Sequence, residues 1–427
     1  MKKRYLLAIA ICLTTSLLQA QVNFSEYFYN KCLRIDYTHS GNNQEEAYSV
    51  EKYWEEPYWA GSKKNLIDTF EYGKYFFKVF DKASNTEIYS RGFCSLFGEW
   101  QTTAEAKKIR KAFNESIIMP YPKKDVYIIF YTRDFHSGKW IKKSEFDIDV
   151  NSYFIKPNTQ DQYPAFDVHI SGEPSKKLDI VIIPEGYTQE ELGRFTEDCK
   201  NFSDKLFSFA PYDKHKQNIN IRGVWAPSAE SGSAIPKERI YKNTILQSNF
   251  YTFDSERYCM VEDFQKVRNI AKNAPYDQIY ILVNTDKYGG GGIYNFYSLS
   301  INGNIKAPEV FIHEFGHGFA GLGDEYYSSS TSYNDFYDLS IEPWEPNLTT
   351  LIDFDSKWKH LLKKSTPIPT PAKKKYLNRL GVFEGGGYIS KGMYRPAYDC
   401  LMKSFQGHTF CAACQEAIEK MIAFYSE

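Results

Sequence analysis

Residues 313 to 317 read His-Glu-Phe-Gly-His, and this HExxH pentapeptide narrows what the chain can be more than any other feature. The spacing predicts a helix, because residues four apart share a face and His313 and His317 then project their imidazoles side by side. Two imidazoles so placed can hold one Zn²⁺ at about 2.0–2.1 Å. Glu314 sits beside them without easily joining the same tetrahedral shell, in reach of a water on the metal whose proton it can take and later deliver to a leaving amine. Pro308 suits a first helical turn, Val310, Phe311, Phe315 and Phe319 recur at helical intervals, and Gly321 and Gly323 stop the helix. The plain alternative is a buried helix whose histidines only hydrogen-bond. The Gly-Leu-Gly-Asp that follows weighs against it.

A catalytic zinc site keeps three protein ligands and one open position, so a third ligand must come from beyond the helix. Asp324 is the first candidate, since glycines at 321 and 323 let the chain turn back cheaply, and Glu325 is its rival. In the metzincin pattern HExxHxxGxxH or HExxHxxGxxD, the glycine falls seven residues after the first His and the third ligand ten. Those positions here are Ala320 and Gly323, and Gly321 and Asp324 each come one residue late. Spacing alone leaves Asp324 and Glu325 both open.

The run HEFGHGFAGLGDEYY, the upstream LDIVIIPEGYT at 178–188, and the downstream YDCLMKS at 398–404 followed by FCAAC at 410–414 resemble the bacterial IgA-peptidase family of zinc metallopeptidases. The resemblance spans residues 170 to 427, with a family-typical N-terminal domain expected over most of the remainder. It implies a zincin fold related to the metzincins and one catalytic Zn²⁺. It also implies His313 and His317 as ligands, Glu314 as general base, Asp324 as third ligand, and Met402 in the turn beneath the metal. Read without the resemblance, Met402 beside Leu401 is equally ordinary core filler. Some metzincins carry a Tyr two residues after that Met. Ser404 stands there instead, so the group that polarises a scissile carbonyl besides zinc is open among Tyr394, Arg395, Tyr398 and His408.

Lys2, Lys3 and Arg4, a short apolar run through Cys12, then Leu17, Leu18 and Gln19-Ala20-Gln21 form a secretory leader with cleavage expected after Ala20. The run is too short to span a bilayer and no Cys follows the cleavage point, so export to the periplasm or beyond without a lipid anchor is expected. Cys32, Cys94, Cys199, Cys259, Cys400, Cys411 and Cys414 remain, an odd number. Cys411 and Cys414 form a CxxC with no second CxxC to complete a structural zinc site and no thioredoxin-like surroundings. In an exported chain, a disulfide among Cys400, Cys411 and Cys414 that pins the Met402 turn is the expected use of these thiols. The others read as small apolar residues.

A net charge of −1 gives no basic field for nucleic acid or an anionic membrane. At 427 residues, 17% of them aromatic, the chain can build two cores, and aromatic strand residues account for the 34 Tyr and 31 Phe better than a binding surface does. The fold class is α+β. A signal peptide (1–20) precedes a β-sandwich-like domain (21–150), with Tyr75–Phe80 and Ile88–Tyr89 as a hairpin and Val126–Tyr131 as a buried strand. A proline-bearing linker (151–175) then leads to a zincin (metzincin-like) α/β catalytic domain (176–427). That last part has strands at 178–183, 218–225 and 278–283, helices after the Thr188 capping box and near 260–271, and a flexible Gly289–Gly292 bend before a strand at 293–301. The function expected is hydrolysis of peptide bonds in a protein or glycoprotein by an exported zinc endopeptidase. The alternatives are a noncatalytic glycan- or protein-binding module on a zincin shell and a cell-wall peptide amidase. An intact Glu314 argues against a lapsed enzyme.

Overall fold

Large side chains alternate with polar ones through the first half of the chain, and each alternation becomes a strand with one face buried. The computed structural model describes residues 21–327, 336–406 and 409–426, so the leader and its cleavage point lie outside the described residues. A single helical turn, α1 (Phe24–Tyr27), is capped by the Asn23 side chain and leads into β1 (Phe28–Gly41) and β2 (Glu46–Glu56). Then follow β3 (Tyr75–Asp81), β4 (Thr86–Phe93), the short helix α2 (Leu96–Trp100), β5 (Lys111–Pro122), β6 (Val126–Arg133), β7 (Trp140–Ile148) and β8 (Ile155–Pro157). They form two four-stranded sheets, ordered β5-β1-β2-β8 and β4-β3-β6-β7. The expected hairpin is β3–β4, and its turn is fixed by the Asp81 carboxylate, which accepts from the Ser84 amide and hydroxyl. The inner faces meet through aromatic rings, with Tyr37 edge-on to Phe130 at 5.2 Å and Tyr48 at 4.9 Å from the same ring.

The second half alternates strands and helices. β9 (Ala165–His169) and β10 (Leu178–Glu185) precede α3 (Leu192–Leu206), which the predicted Thr188–Glu191 capping box introduces. β11 (Ile219–Val224), α4 (Phe264–Ala271), β12 (Gln278–Val283), β13 (Gly290–Ile293), β14 (Tyr297–Ile301) and α5 (Ala307–Ala320) come next, and then the hairpin β15 (Phe383–Gly386) and β16 (Ile389–Arg395) and the helix α6 (Ala412–Tyr425). A six-stranded sheet runs β13-β14-β12-β10-β11-β9, with parallel pairing at its centre and antiparallel strands at both edges. Every residue of β10 is buried because both faces are covered. Val181 and Ile183 join the core that holds α4 and the N-terminal sheets, while Leu178, Ile180 and Ile182 join the one formed with α3, α5 and α6. The N-terminal sheets therefore share a continuous apolar core with one face of the six-stranded sheet. Arg34 of β1 adds a buried polar tie, donating to Asp36 and Glu56 and across to Asn269 and the Gln265 carbonyl.

Two features differ from the sequence reading. The stretch 151–175, read as a linker, supplies an edge strand to one N-terminal sheet and another to the six-stranded sheet: β8 lies parallel to β2 and β9 antiparallel to β11. Pro157 fits at the end of β8 because an edge strand tolerates a missing N–H, and Pro164 immediately precedes β9. The Gly289–Gly292 run is mostly the edge strand β13 and not a bend, and the chain reverses at residues 294–296 instead. Here glycine permits close approach. A Cβ on Gly292 would stand 2.2 Å from the Glu314 carbonyl oxygen and 2.9 Å from the Cβ of His317, and one on Gly291 would stand 2.3 Å from the Met260 sulfur. Gly292→Ala is accordingly expected to destabilise the protein by about 1–3 kcal/mol in urea unfolding. Gly193→Ala in α3, with open space around it, should be neutral or stabilising. Equal stability for Gly292→Ala and the parent would contradict the packing argument.

Candidate active site

α5 carries the HExxH residues, and its sequence explains where it starts, stops and points. Pro308 occupies the first turn, and Gly321 ends the helix at φ 63°, where the amides of Gly321 and Leu322 satisfy the carbonyls of His317 and Gly316. Phe311, Ile312, Phe315 and Phe319 bury the opposite side in the core shared with α3 and α6. That leaves His313, Glu314 and His317 against the glycine strand β13, at the floor of a cleft of about 1450 Å³.

The imidazoles are oriented by carbonyls. His313 Nδ1 lies 3.1 Å from the Leu401 oxygen and His317 Nδ1 2.5 Å from that of Leu322. With those nitrogens donating, both Nε2 atoms present lone pairs, and they converge to 3.0 Å. Asp324 completes the triangle, with Oδ1 3.2 Å from His313 Nε2 and 3.3 Å from His317 Nε2. Glu325, the rival, turns the other way. It is fully buried, accepts from Asn347, and lies against Cys414. The two neighbouring carboxylates thus reach opposite sides of the chain, Asp324 toward the imidazoles and Glu325 toward Asn347 and Cys414.

The chemistry of this triangle suits a cation. Asp324 Oδ1 is buried and takes no hydrogen bond among the described residues, while its Oδ2 accepts from the Tyr388 hydroxyl at 2.5 Å. Burial opposes ionisation of Asp324, but the two imidazoles outweigh it and hold the carboxyl well below the usual range. Burial likewise disfavours a charged His317, yet Asp324 and Glu314 push that ring up to about 9. Three converging donors in one dry corner favour a bound positive charge, and two imidazoles with a carboxylate are the donor set that suits Zn²⁺. Glu314 faces the cleft between these groups. Burial raises its pKa, and the neighbouring imidazoles pull it back.

Met402 is fully buried beneath α5, where a Cβ added to Gly316 would meet its sulfur at 3.0 Å. Its carbonyl accepts from the Glu325 amide at 2.8 Å, and the preceding carbonyl, Leu401, is the one that holds His313. The turn thus touches both the helix and the segment bearing Asp324. The expected disulfide near it is absent. Cys400, Cys411 and Cys414 are all free, with Sγ of Cys414 3.8 Å from that of Cys400 and 3.6 Å from that of Cys411.

Of the polarising groups considered from sequence, Arg395 is spent on the carbonyls of Glu384, Gly385 and Tyr398, and neither Tyr394 nor Tyr398 lines the cleft. His408 lies outside the described residues. Sequence reasoning missed Tyr388, Tyr326 and Arg257, which do line it. Tyr326 follows Asp324 closely and receives a hydrogen bond from Arg257. Tyr388 arrives 64 residues later on the β15–β16 hairpin, whose loop pairs its Gly387 and Tyr388 amides with the Asp324 and Tyr326 carbonyls. Glu99 of α2, from the N-terminal half, also faces the cleft. Burial pushes it up to about 7 against a hydrogen bond from Tyr258.

Comparison with known families agrees with this site. The model of IgA Peptidase M64 matches residues 166–381 and 374–422, and that of the Peptidase M64 N-terminus matches residues 23–143. The chain belongs to the IgA peptidase M64 family. M64 is a metallopeptidase family, so membership identifies the chain as a peptidase whose substrate is protein. No curated protein matches the chain. The two M64 matches fall on the two halves described above, and no described helix is long and apolar enough to cross a membrane.

The Tyr388 hydroxyl reaches Asp324 Oδ2 from a distant hairpin, so Tyr388→Phe tests what orients that carboxylate. Metal affinity, read by competition with a chelating dye, is expected to fall about 10–100-fold. An unchanged affinity would show that the hydrogen bond does nothing for the carboxylate.

Proposed function

We propose that this M64 peptidase is an exported, zinc-dependent endopeptidase of metzincin-like build. The observation that supports this most is the convergence of His313, His317 and Asp324 within 3.3 Å of one another, with Glu314 beside them on the same helix. A zinc ion held by these three would supply Lewis-acid polarisation of the scissile carbonyl and of the attacking water. The rest is done by side chains of this chain. Glu314 takes the water's proton as general base and returns it to the leaving amine, a role suited to a carboxylate whose proton affinity burial raises and the neighbouring imidazoles restrain. Arg257, Tyr326 and Tyr388 line the same wall and are placed to bind the oxygen that gains charge.

Substrate placement follows from the edge strand. The Gly290 amide donates to the Arg257 carbonyl, on the side of β13 away from β14, and Gly292, two residues on, turns its own N–H and C=O to that same side. An extended peptide pairing there would cross directly in front of Glu314, since Gly292 abuts the Glu314 carbonyl. Lys74, Glu99 and Arg133 of the N-terminal half line the same cleft, which gives that domain a part in substrate selection. The leader at residues 1–20 supports export to the periplasm or the exterior.

The test is hydrolysis of a peptide library and a protein panel that includes immunoglobulin A, the protein for which the family is named. Cleavage is expected to stop with a chelator and return with zinc. Glu314→Gln should lower kcat/KM by roughly 10²–10⁴ while leaving the metal bound, and His313→Ala should lose both. Cleavage that survives complete metal removal, or a Glu314→Gln enzyme as active as the parent, would overturn the assignment.

A further inference from the structure

A second cluster of metal-ligating atoms lies on the far side of the Asp324–Glu325 segment. Cys400, Cys411, Cys414 and Glu325 each bring one such atom, and all four lie within 4.8 Å of one another. Glu325 and Cys414 are fully buried and Cys400 very nearly so. The Cys414 sulfur stands 3.8 Å from Cys400 Sγ, 3.6 Å from Cys411 Sγ and 3.2 Å from Glu325 Oε1. Two thiolates on one tetrahedral zinc, each about 2.3 Å from it, lie about 3.8 Å apart, against about 2.05 Å for sulfurs in a disulfide. The sulfurs are spaced as ligands of a common centre.

The carboxylate is the independent observation. Glu325 Oε2 is buried and takes no hydrogen bond among the described residues, although Oε1 has Asn347. The carboxylate reaches Cys414 through Oε1, and burying it with the other oxygen unpaired is costly unless something positive meets the group. The surroundings also suit thiolates. Cys411 caps the N-terminus of α6 and Cys414 lies in its first turn, where the helix end favours negative charge, and the Cys411 amide donates to Cys400 Sγ at 3.2 Å.

We propose that Glu325, Cys400, Cys411 and Cys414 form a closed structural Zn²⁺ site, distinct from the HExxH centre. Four protein ligands and no open position mark it as structural. Binding one Zn²⁺ releases the three thiol protons to solvent and changes no oxidation state. Its position gives it a task. Glu325 adjoins Asp324, Cys400 lies two residues before Met402, and Leu401 between them holds His313, so one ion would fasten both segments that shape the reactive centre.

The experiment uses the mature chain, purified in air without chelator, as the parent and as a His313→Ala/His317→Ala variant that removes the HExxH ligands. Because it reads zinc in that variant, it stands whether or not the peptidase reading holds. Elemental analysis should find one zinc per chain in the variant, and titration with p-hydroxymercuribenzoate should release it in step with mercuration of Cys400, Cys411 and Cys414, read by a zinc dye and peptide mass spectrometry. Glu325→Gln in the parent should bind zinc at the HExxH site while losing the mercurial-released ion. A variant purified without zinc, or a disulfide found between any two of the three cysteines, would overturn the proposal even if cysteine substitutions failed to fold.

Discussion

The site depends on an electrostatic conflict built into the fold. Lone pairs of His313, His317 and Asp324 meet in a corner that water barely reaches, and the scaffold holds them there. Groups arranged this way repel unless a cation or protons sit between them, so part of the stability gained by burying α5 offsets the strain of keeping them together. What prevents relief is rigidity. Each imidazole is pinned through Nδ1 to a backbone carbonyl, Asp324 is pinned through Oδ2 to Tyr388, and α5 is pressed on glycines that leave no room for it to shift. Such preorganisation lets a metal ion bind without first ordering the protein.

The N-terminal domain belongs to this argument because it is not a tethered accessory. Its aromatic core runs continuously into one face of the catalytic sheet, and buried Arg34 ties β1 to α4. Large apolar interfaces between domains suppress relative motion. The wall carrying Lys74, Glu99 and Arg133 therefore keeps its distance from α5, and the cleft width is a property of the fold. Glu99, raised to about 7 by burial, puts a group that changes charge near neutral pH into that wall.

How much of this was legible depended on the reach of each signal. His313, Glu314 and His317 were readable because four residues make nearly one helical turn, and the Phe311, Phe315 and Phe319 stripe says which side is buried. Asp324 and Glu325 were not separable, because in extended chain a shift of one residue reverses the side chain, and spacing within a turn carries that much slack. Tyr388 left no local trace, since a hairpin far along the chain delivers it. Glycine misled in a particular way: the residue that permits a bend also permits close approach, and at Gly290–Gly292 only the position of α5 distinguishes the two. The cysteines misled for the same reason as Asp324. Counting thiols finds three near the Met402 turn, but not that a carboxylate 75 residues before Cys400 faces them.

Adjacent carboxylates pointing opposite ways make the segment after α5 the mechanical centre of the catalytic half. Asp324 and Tyr326 pair their carbonyls with the β15–β16 loop on one side, and the Glu325 amide bonds to the Met402 carbonyl on the other. The segment is thus held between two supports, and each support touches a group at the cleft: the loop brings Tyr388 to Asp324, and the Met402 turn brings Leu401 to His313. A displacement on the cysteine side has few directions in which to dissipate, since Met402 is packed under Gly316 and the core around it is full. It would move the Asp324 carboxylate and the His313 ring together. Placing Cys400, Leu401 and Met402 in succession therefore confines the cysteine cluster, the imidazole support and the floor of the helix to a single turn of chain.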